Sequence, residues 1–311
     1  MEIKDVTIGL RHREISHLIE ILSEPQSKNA QKIKALRLLH EVLPGRQQEA
    51  IFHNIIGITK DFLLQKPNGI LLNTLVLYNI LVNDPNTAHQ LSPFIPKLVD
   101  LISPEAEVPI KMESISLLRR ISSFIGPVEE FITEGLPKTL ISHVSSRFND
   151  QVFLQEAFVL ISRLISSPTY MGIIIQTSSF LMLLVRSFSN ISLRSPTISL
   201  ASSIAMEPSH KGKIALIQAD VFSSISPFLD SRDSELKFSI LSLIALLTVP
   251  REGKHKVSTD QEIPDLINRI SQYDNNEKCR KVAESIRILV SEIPLGEAIM
   301  GHAQTNTQYD N

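Results

Sequence analysis

Residues 249–256 read Val-Pro-Arg-Glu-Gly-Lys-His-Lys, and a proline followed closely by a glycine recurs along most of the chain. Glycine, or in one case asparagine, stands at intervals of about 41 residues, at Gly45, Asn86, Gly126, Gly172, Gly212, Gly253 and Gly296. Prolines stand shortly before most of these positions, at Pro44, Pro85, Pro168, Pro208, Pro250 and Pro294. Because proline cannot continue a helix interior, each pair marks the end of one helix and the start of the next. The interval predicts a solenoid of helical repeats.

The segments between these marks have the periodicity of amphipathic helices. Apolar residues recur three and four positions apart, as in Ile115, Leu118 and Ile121, and strand-like alternation is rare. Each unit opens with an apolar helix, continues through a polar turn into a longer helix, and closes with a short helix after the glycine. The predicted units begin at Glu14, Ile55, Ile95, Leu136, Ser179, Val221 and Ile263.

The sequence therefore predicts an all-α fold, an armadillo- or HEAT-like right-handed α-solenoid of about seven repeats. We assign residues 14–303 to the repeat domain, residues 1–13 to an N-terminal cap and residues 304–311 to a flexible C-terminal tail. The long helix of most units carries a small side chain at a matching place, which would let neighbouring helices approach closely. These positions are Ala35, Thr74, Ser114, Ala157, Ser199, Ser239 and Ala283.

Composition restricts the partners that the chain can have. Hydrophobic residues make up 43% of its 311 residues, which excludes a mainly disordered protein. A net charge of -2 supplies no strong field for nucleic acid or an anionic membrane surface. The most apolar stretch, residues 171–185, is interrupted by Gln176 and Thr177 and is shorter than the roughly 20 residues of a membrane span. The N-terminus lacks the apolar run of a secretory signal. We expect a cytoplasmic protein without nucleic-acid or membrane partners.

Sequence motifs for catalysis or cofactor binding are absent. The chain contains no P-loop, no Gly-x-Gly-x-x-Gly and no Gly-x-Ser-x-Gly. Its nine histidines are scattered, and the single cysteine, Cys279, has no second cysteine for a disulfide or a zinc site. We therefore expect no enzymatic activity, cofactor, metal site or small-molecule substrate.

Several short motifs resemble armadillo repeats. The sequences Ile95-Pro96-x-Leu98-Val99 and Ile263-Pro264-x-Leu266-Ile267 resemble the second helix of such a repeat, and Glu134-Gly135-Leu136-Pro137 resembles the junction that leads into it. Lys211-Gly212-Lys213 and Glu252-Gly253-Lys254 are similar to the motif that starts the first helix. The resemblance covers nearly the whole chain and implies a protein that works by binding other proteins.

A narrower resemblance is to the radial spoke head 14 homologue family of motile cilia. It rests on three segments, Gln31–Leu36, Thr133–Leu136 and Val249–Lys254, and on the length and number of units. This resemblance implies a non-enzymatic structural component of the axonemal radial spoke, located in the cytoskeleton of a cilium or flagellum among neighbours in a large assembly. The alternative is a cytosolic armadillo-type cargo or regulatory adaptor that binds linear peptides.

The long helices supply the first candidate binding residues. Importin-like and catenin-like armadillo proteins resemble one another in a ladder of asparagines that grips extended peptides. The matching positions here are Glu41, Asn79, Arg120, Arg163, Ser203, Ala245 and Leu289, so one asparagine remains and nuclear import of basic cargo is disfavoured. We expect Arg120 and Arg163 to face the same surface. They would hold a carboxylate of a partner, or else pair within the chain with Glu113 or Glu156.

Two basic loops supply the remaining candidates. The segments 210–213 and 251–256 lie one repeat apart, which predicts that they are neighbours on one edge of the solenoid. Their lysines are Lys211, Lys213, Lys254 and Lys256. The loops would form a small positive patch for an acidic partner, or they keep the junctions between helices soluble.

Overall fold

The computed structural model describes residues 14–66, 68–146 and 150–291, and these residues form helices and turns without any strand. The chain divides into two compact units, Met1–Leu183 and Leu184–Asn311. The predicted cap at residues 1–13, the predicted tail at residues 304–311, and the marks Pro294 and Gly296 lie outside the described residues.

The first unit contains twelve α-helices within the described residues. They are residues 14–23 (α1), Asn29–Val42 (α2), Gln47–Phe52 (α3), Ile55–Thr59 (α4), Gly69–Leu81 (α5), Pro85–Leu91 (α6), Ile95–Asp100 (α7), Val108–Ile125 (α8), Glu129–Ile132 (α9), Leu136–Ser145 (α10), Gln151–Leu164 (α11) and Pro168–Gln176 (α12). Two short 3-10 helices, Lys60–Leu64 and Ser92–Phe94, accompany them. The boundary between the two units falls within the next helix, Ser178–Ser187 (α13).

The second unit continues the same order of helices. Its described part contains Arg194–Ala205 (α14), Lys211–Gln218 (α15), Val221–Ile225 (α16), Ser234–Leu247 (α17), Arg251–Thr259 (α18), Ile263–Tyr273 (α19) and Glu277–Ser291 (α20). The 3-10 helix Ser226–Asp230 follows α16.

The helices repeat in the predicted order. Helices begin at Ile55, Ile95, Leu136, Val221 and Ile263, as predicted, and at Ser178, one residue before the predicted start. A long helix follows each of these starts, after a turn. The described residues contain seven such long helices: α2, α5, α8, α11, α14, α17 and α20. The all-α repeat fold is therefore confirmed.

Local sequence explains where these helices begin. Pro85 occupies the first turn of α6, where a missing N–H costs nothing, and the Asp84 side chain accepts from the backbone N–H of Thr87. Asp233 caps α17 in the same way by accepting from the N–H groups of Glu235 and Leu236. Pro85 and Pro168 thus stand at the start of a helix.

The predicted small position is correct in five long helices and wrong in two. Ala35, Thr74, Ser114, Ala157 and Ala283 are all buried. In α14 the equivalent residue is Thr197, which is fully buried and donates its hydroxyl to the carbonyl of Leu193, as Thr74 does to Ile70; Ser199 is exposed. In α17 the buried residue is Ile240, next to the half-exposed Ser239. A serine satisfies its hydroxyl on its own helix, so it is tolerated on either face.

The registered glycines have different structural roles. Gly45 and Gly126 have positive φ angles of 81° and 63°, which glycine adopts without strain. Gly212 and Gly253 lie where a short helix touches the end of the preceding long helix, since a Cβ there would meet the carbonyl oxygens of Ile204 and Leu247. Gly172 has neither feature. Glycines at the same sequence interval are therefore required for different reasons, a positive φ angle at some positions and a close contact between helices at others.

The apolar stretch at residues 171–185 forms parts of two helices. No helix among the described residues is by itself long and apolar enough to span a membrane. Helices α12 and α13 reach that length and composition only as a pair, and the chain bends by 85° between them.

Candidate functional site

Polar side chains join consecutive long helices of the first unit at one repeated position. On α2, His40 Nε2 lies 2.8 Å from the carbonyl oxygen of Asn73 on α5. On α5, the amide of Asn79 donates to the carbonyl and the carboxylate of Glu113 on α8, at 3.0 Å and 2.8 Å. Each donor lies five residues after the buried small residue of its own helix, as His40 follows Ala35. Each acceptor lies one residue before the buried small residue of the next long helix, as Asn73 precedes Thr74. We call these bonds, together with the one below, the latches.

The third latch is an ion pair, in which Arg119 Nε on α8 donates to Glu156 Oε2 on α11. Both side chains are about a quarter exposed, at 27% each. The sequence prediction placed Arg120 and Arg163 in this region and left open a pairing with Glu113 or Glu156. In the structure Glu156 forms an ion pair with Arg119, and Glu113 accepts a hydrogen bond from Asn79.

Asn79 is the one asparagine of the predicted ladder, and its side chain amide is used inside the protein. The residue is 8% exposed, and both bonds of its amide nitrogen go to Glu113. Its Oδ1 is buried and has no hydrogen-bond partner among the described residues. Asn79 therefore holds α5 to α8, whereas Glu41 is exposed near the C-terminal end of α2.

Three arginines lie in the C-terminal halves of α8 and α11; Arg119, Arg120 and Arg163 are called the arginine cluster below. Arg163 donates through Nη1 to the carbonyl oxygen of Arg119 at 2.8 Å. Burial lowers the pKa of Arg163, the charge of Arg119 lowers it further, and Glu156 raises it. Arg120 is exposed, and its guanidinium bonds to none of the described residues. Among the described residues, Glu156 is the carboxylate that pairs with this cluster, through Arg119.

The basic loops of the second unit are neighbours, as predicted, because α15 packs against α18. Their charge is smaller than predicted. Lys213 is 6% exposed, and its Nζ lies 3.1 Å from His210 Nδ1, so it adds little to the surface. Lys256 lies 3.3 Å from Asp220 Oδ1, which neutralises it, and Lys254 is half-buried. Lys211 is exposed. Sequence reasoning failed for Lys213 because the closeness of Gly212 to Ile204 draws the start of α15 into the core.

The second unit also carries an apolar surface that the sequence analysis did not identify. Met206 and Val249 are 59% and 46% exposed, and each directly follows a fully buried residue, Ala205 or Thr248. Ile288 on α20 is 51% exposed. The segments 195–206 and 238–249 contain no charged residue. A search of the sequence for uncharged segments that extend beyond the end of a predicted long helix would have found these residues.

A cleft of about 590 Å³ lies between α14 and α17 in the second unit. Two of its three charged side chains are engaged: Asp233 caps α17, and Arg194 donates to the carbonyl of Phe188 and stacks on the ring of Phe228 at 4.2 Å. The third, Glu235, is exposed. Groups of three or more metal-ligating side chains do not occur among the described residues. The cleft therefore presents no assembled set of reactive groups.

Acidification is expected to lower the stability of the fold through His40, because protonation places a positive charge in a partly buried position. Burial lowers the pKa of His40, and Arg37 adds to this effect, while the carbonyl of Asn73 opposes it. The folded-state pKa thus lies below the unfolded value of about 6.5, so the unfolded chain binds the proton first. Stability should decline as the pH falls through about 6.5, until the folded-state pKa is passed.

Urea denaturation on both sides of that pH measures the effect. The midpoint of the wild-type chain should be lower on the acidic side, and the variant His40→Gln should lose part of this dependence. An identical pH dependence of the two proteins would contradict the assignment.

Comparisons with known proteins agree with this architecture. No protein-family model matches the chain, and no curated protein matches it. Among solved structures it is similar to an engineered protein, with a TM-score of 0.72 and 14% identity over 89% of this chain and 68% of the other. It is also similar to a designed armadillo repeat protein in complex with the peptide (KR)4, with a TM-score of 0.63 and 14% identity over 75% of this chain and 99% of the other. A second engineered protein matches with a TM-score of 0.53 and 14% identity, covering 89% of this chain and 96% of that one. The chain therefore has an armadillo-like repeat fold.

Proposed function

We propose that the chain is a non-enzymatic, protein-binding scaffold whose long helices carry the binding surface. The observation that carries the proposal is the exposed apolar side chains of the second unit. Met206 and Val249 stay exposed directly beyond α14 and α17, in the uncharged segments 195–206 and 238–249, and Ile288 stays exposed on α20. Exposed apolar patches on a folded protein mark interaction sites. The similar designed armadillo protein, which holds a peptide, supports the same use of this fold.

Selection from a peptide-display library on the full chain tests the proposal. We expect specific peptides to be enriched, and the double variant Met206→Asp, Val249→Asp to lose those that bind the second unit. Tyr273→Asp is the matched control, because Tyr273 is 76% exposed but lies at the end of α19, outside the uncharged segments 195–206 and 238–249. A library that yields no specific binder would contradict the scaffold function.

We further propose that this scaffold serves in the radial spoke of motile cilia or flagella. The support is the sequence resemblance of the segments Gln31–Leu36, Thr133–Leu136 and Val249–Lys254. Under this proposal a fluorescently tagged chain marks the axoneme, and its loss disturbs ciliary beating. An even distribution in the cytosol, together with a single tightly bound peptide partner, would favour a cytosolic adaptor instead.

A further inference from the structure

The arginine cluster of the first unit carries positive charge that its surroundings do not neutralise. Glu156 is the carboxylate bonded to the cluster, and Arg119 occupies it. The next carboxylate on α8, Glu113, is held by the amide of Asn79. The nearby serine hydroxyls donate to carbonyls of their own helices: Ser122 to Arg119, Ser123 to Arg120, and Ser166 to Arg163. Within the described part of the chain, the Arg120 guanidinium and the Arg163 donors other than Nη1 bond to no other group, which leaves them to solvent or to a ligand.

Arg163 shows the consequence of this imbalance. Its pKa is lowered by burial and by the charge of Arg119, so its charged form is less favourable here than in water. An anion bound beside Arg163 would offset both effects. A carboxylate suits the site because guanidinium groups bind carboxylates with paired, charge-assisted hydrogen bonds.

The helix surface next to the cluster carries small, uncharged side chains. One turn before the arginines, α8 carries Ser116 and α11 carries Val159, and both side chains are small, uncharged and half-buried. On these two helices Glu156 is paired with Arg119, whereas Glu113 accepts from the neutral amide of Asn79 and keeps its negative charge, seven residues before Arg120.

We infer that the arginine cluster is the docking site for an acidic peptide segment of a protein partner, whose carboxylates contact Arg120 and Arg163. This inference rests on the proposed function and names the chemistry of the partner. The acidic segment is opposite in charge to the basic peptide (KR)4 that the similar designed armadillo protein holds.

Fluorescence anisotropy with labelled peptides tests the inference on the full chain. The probes are (KR)4, an acidic peptide (DE)4 of the same length, and an uncharged peptide (SQ)4. We expect (DE)4 to bind most tightly and to bind more weakly as salt is added. The variant Arg120→Glu should weaken the binding of (DE)4 by about tenfold to hundredfold, as expected for the loss of one charged hydrogen-bonded contact.

Arg232→Glu is the matched control, because it makes the same change of charge at an exposed residue of the second unit. Its affinity for (DE)4 should stay close to that of the wild-type chain. Thermal unfolding of both variants checks the fold, and the exposed position of Arg120 lets that variant fold normally. Arg163→Gln, which keeps a donor for the carbonyl of Arg119, should weaken (DE)4 binding as well.

The outcomes separate this inference from the proposed function. Preferred binding of (KR)4 or (SQ)4, or (DE)4 binding that Arg120→Glu leaves unchanged, would overturn the inference and leave the scaffold function standing. Tighter binding of a phosphopeptide or an RNA oligonucleotide than of (DE)4 would overturn it too. Failure of the display library to yield any binder would instead remove the scaffold function.

Discussion

Replacing Gly253 with alanine is expected to lower the free energy of unfolding by about 3 kcal/mol, the upper part of the range for overpacking a tight contact. A Cβ at this position would lie 1.7 Å from the carbonyl oxygen of Leu247 and 2.7 Å from its carbonyl carbon. Backbone atoms cannot rotate away as a side chain does, so α18 must move off the end of α17. A third contact, at 3.3 Å to Ile217 Cδ1, restricts the direction of that movement.

Gly172→Ala provides the control for this prediction. Gly172 lies inside α12, and a Cβ there would meet no atom within 4 Å. Alanine should therefore stabilise the protein by about 0.5–1 kcal/mol, because it reduces the freedom of the unfolded chain and favours the helix. Urea denaturation followed by circular dichroism measures both variants. Equal effects at the two glycines would contradict the close approach of α18 to α17.

Phe158→Ala is expected to destabilise the first unit by about 3–5 kcal/mol, the usual cost of removing a buried phenylalanine side chain. Phe158 is completely buried on α11, and its ring makes an edge-to-face contact with Phe180 at a centroid distance of 6.2 Å. The substitution leaves a cavity between helices that are held in place by their own repeats, so the core closes over it only in part. Urea denaturation of the full chain gives the loss.

The matched control is Phe52→Ala at the end of α3. This ring is 85% exposed, so its removal should change the free energy of unfolding by no more than about 0.5 kcal/mol. The same substitution is thus expected to have a large effect on stability in α11 and a small one in α3. A small loss at Phe158, comparable to that at Phe52, would show that α11 is not packed as described.

The repeat could be predicted from the sequence because its causes are local. Proline is excluded from helix interiors wherever it occurs, and apolar residues three and four positions apart lie on one face of any helix. These rules place the helix starts at Ile55, Ile95 and Val221 without knowledge of the neighbours. They also determine the fold class, since helices with one apolar face must stack to bury it.

The face that each long helix turns toward the core was harder to predict from the sequence. Ser199 and Ser239 are small, but Thr197 and Ile240 are the residues that pack inward. Serine and threonine both satisfy their hydroxyls on the preceding turn, so residue type leaves the inward face undecided by one or two positions. The contacts with the neighbouring repeat decide it.

The sequence by itself determined the periodic helices, their starts and the absence of recognised catalytic motifs. Tertiary structure alone decided which charges remain available: Arg119 is paired while Arg120 is exposed, and Lys213 is buried beside His210. Adjacent residues on a helix point about 100° apart, and pairing depends on a residue some 40 positions away on the next repeat. Helix formation is a local property of the chain, whereas the surface left for a partner is what remains after the repeats have packed.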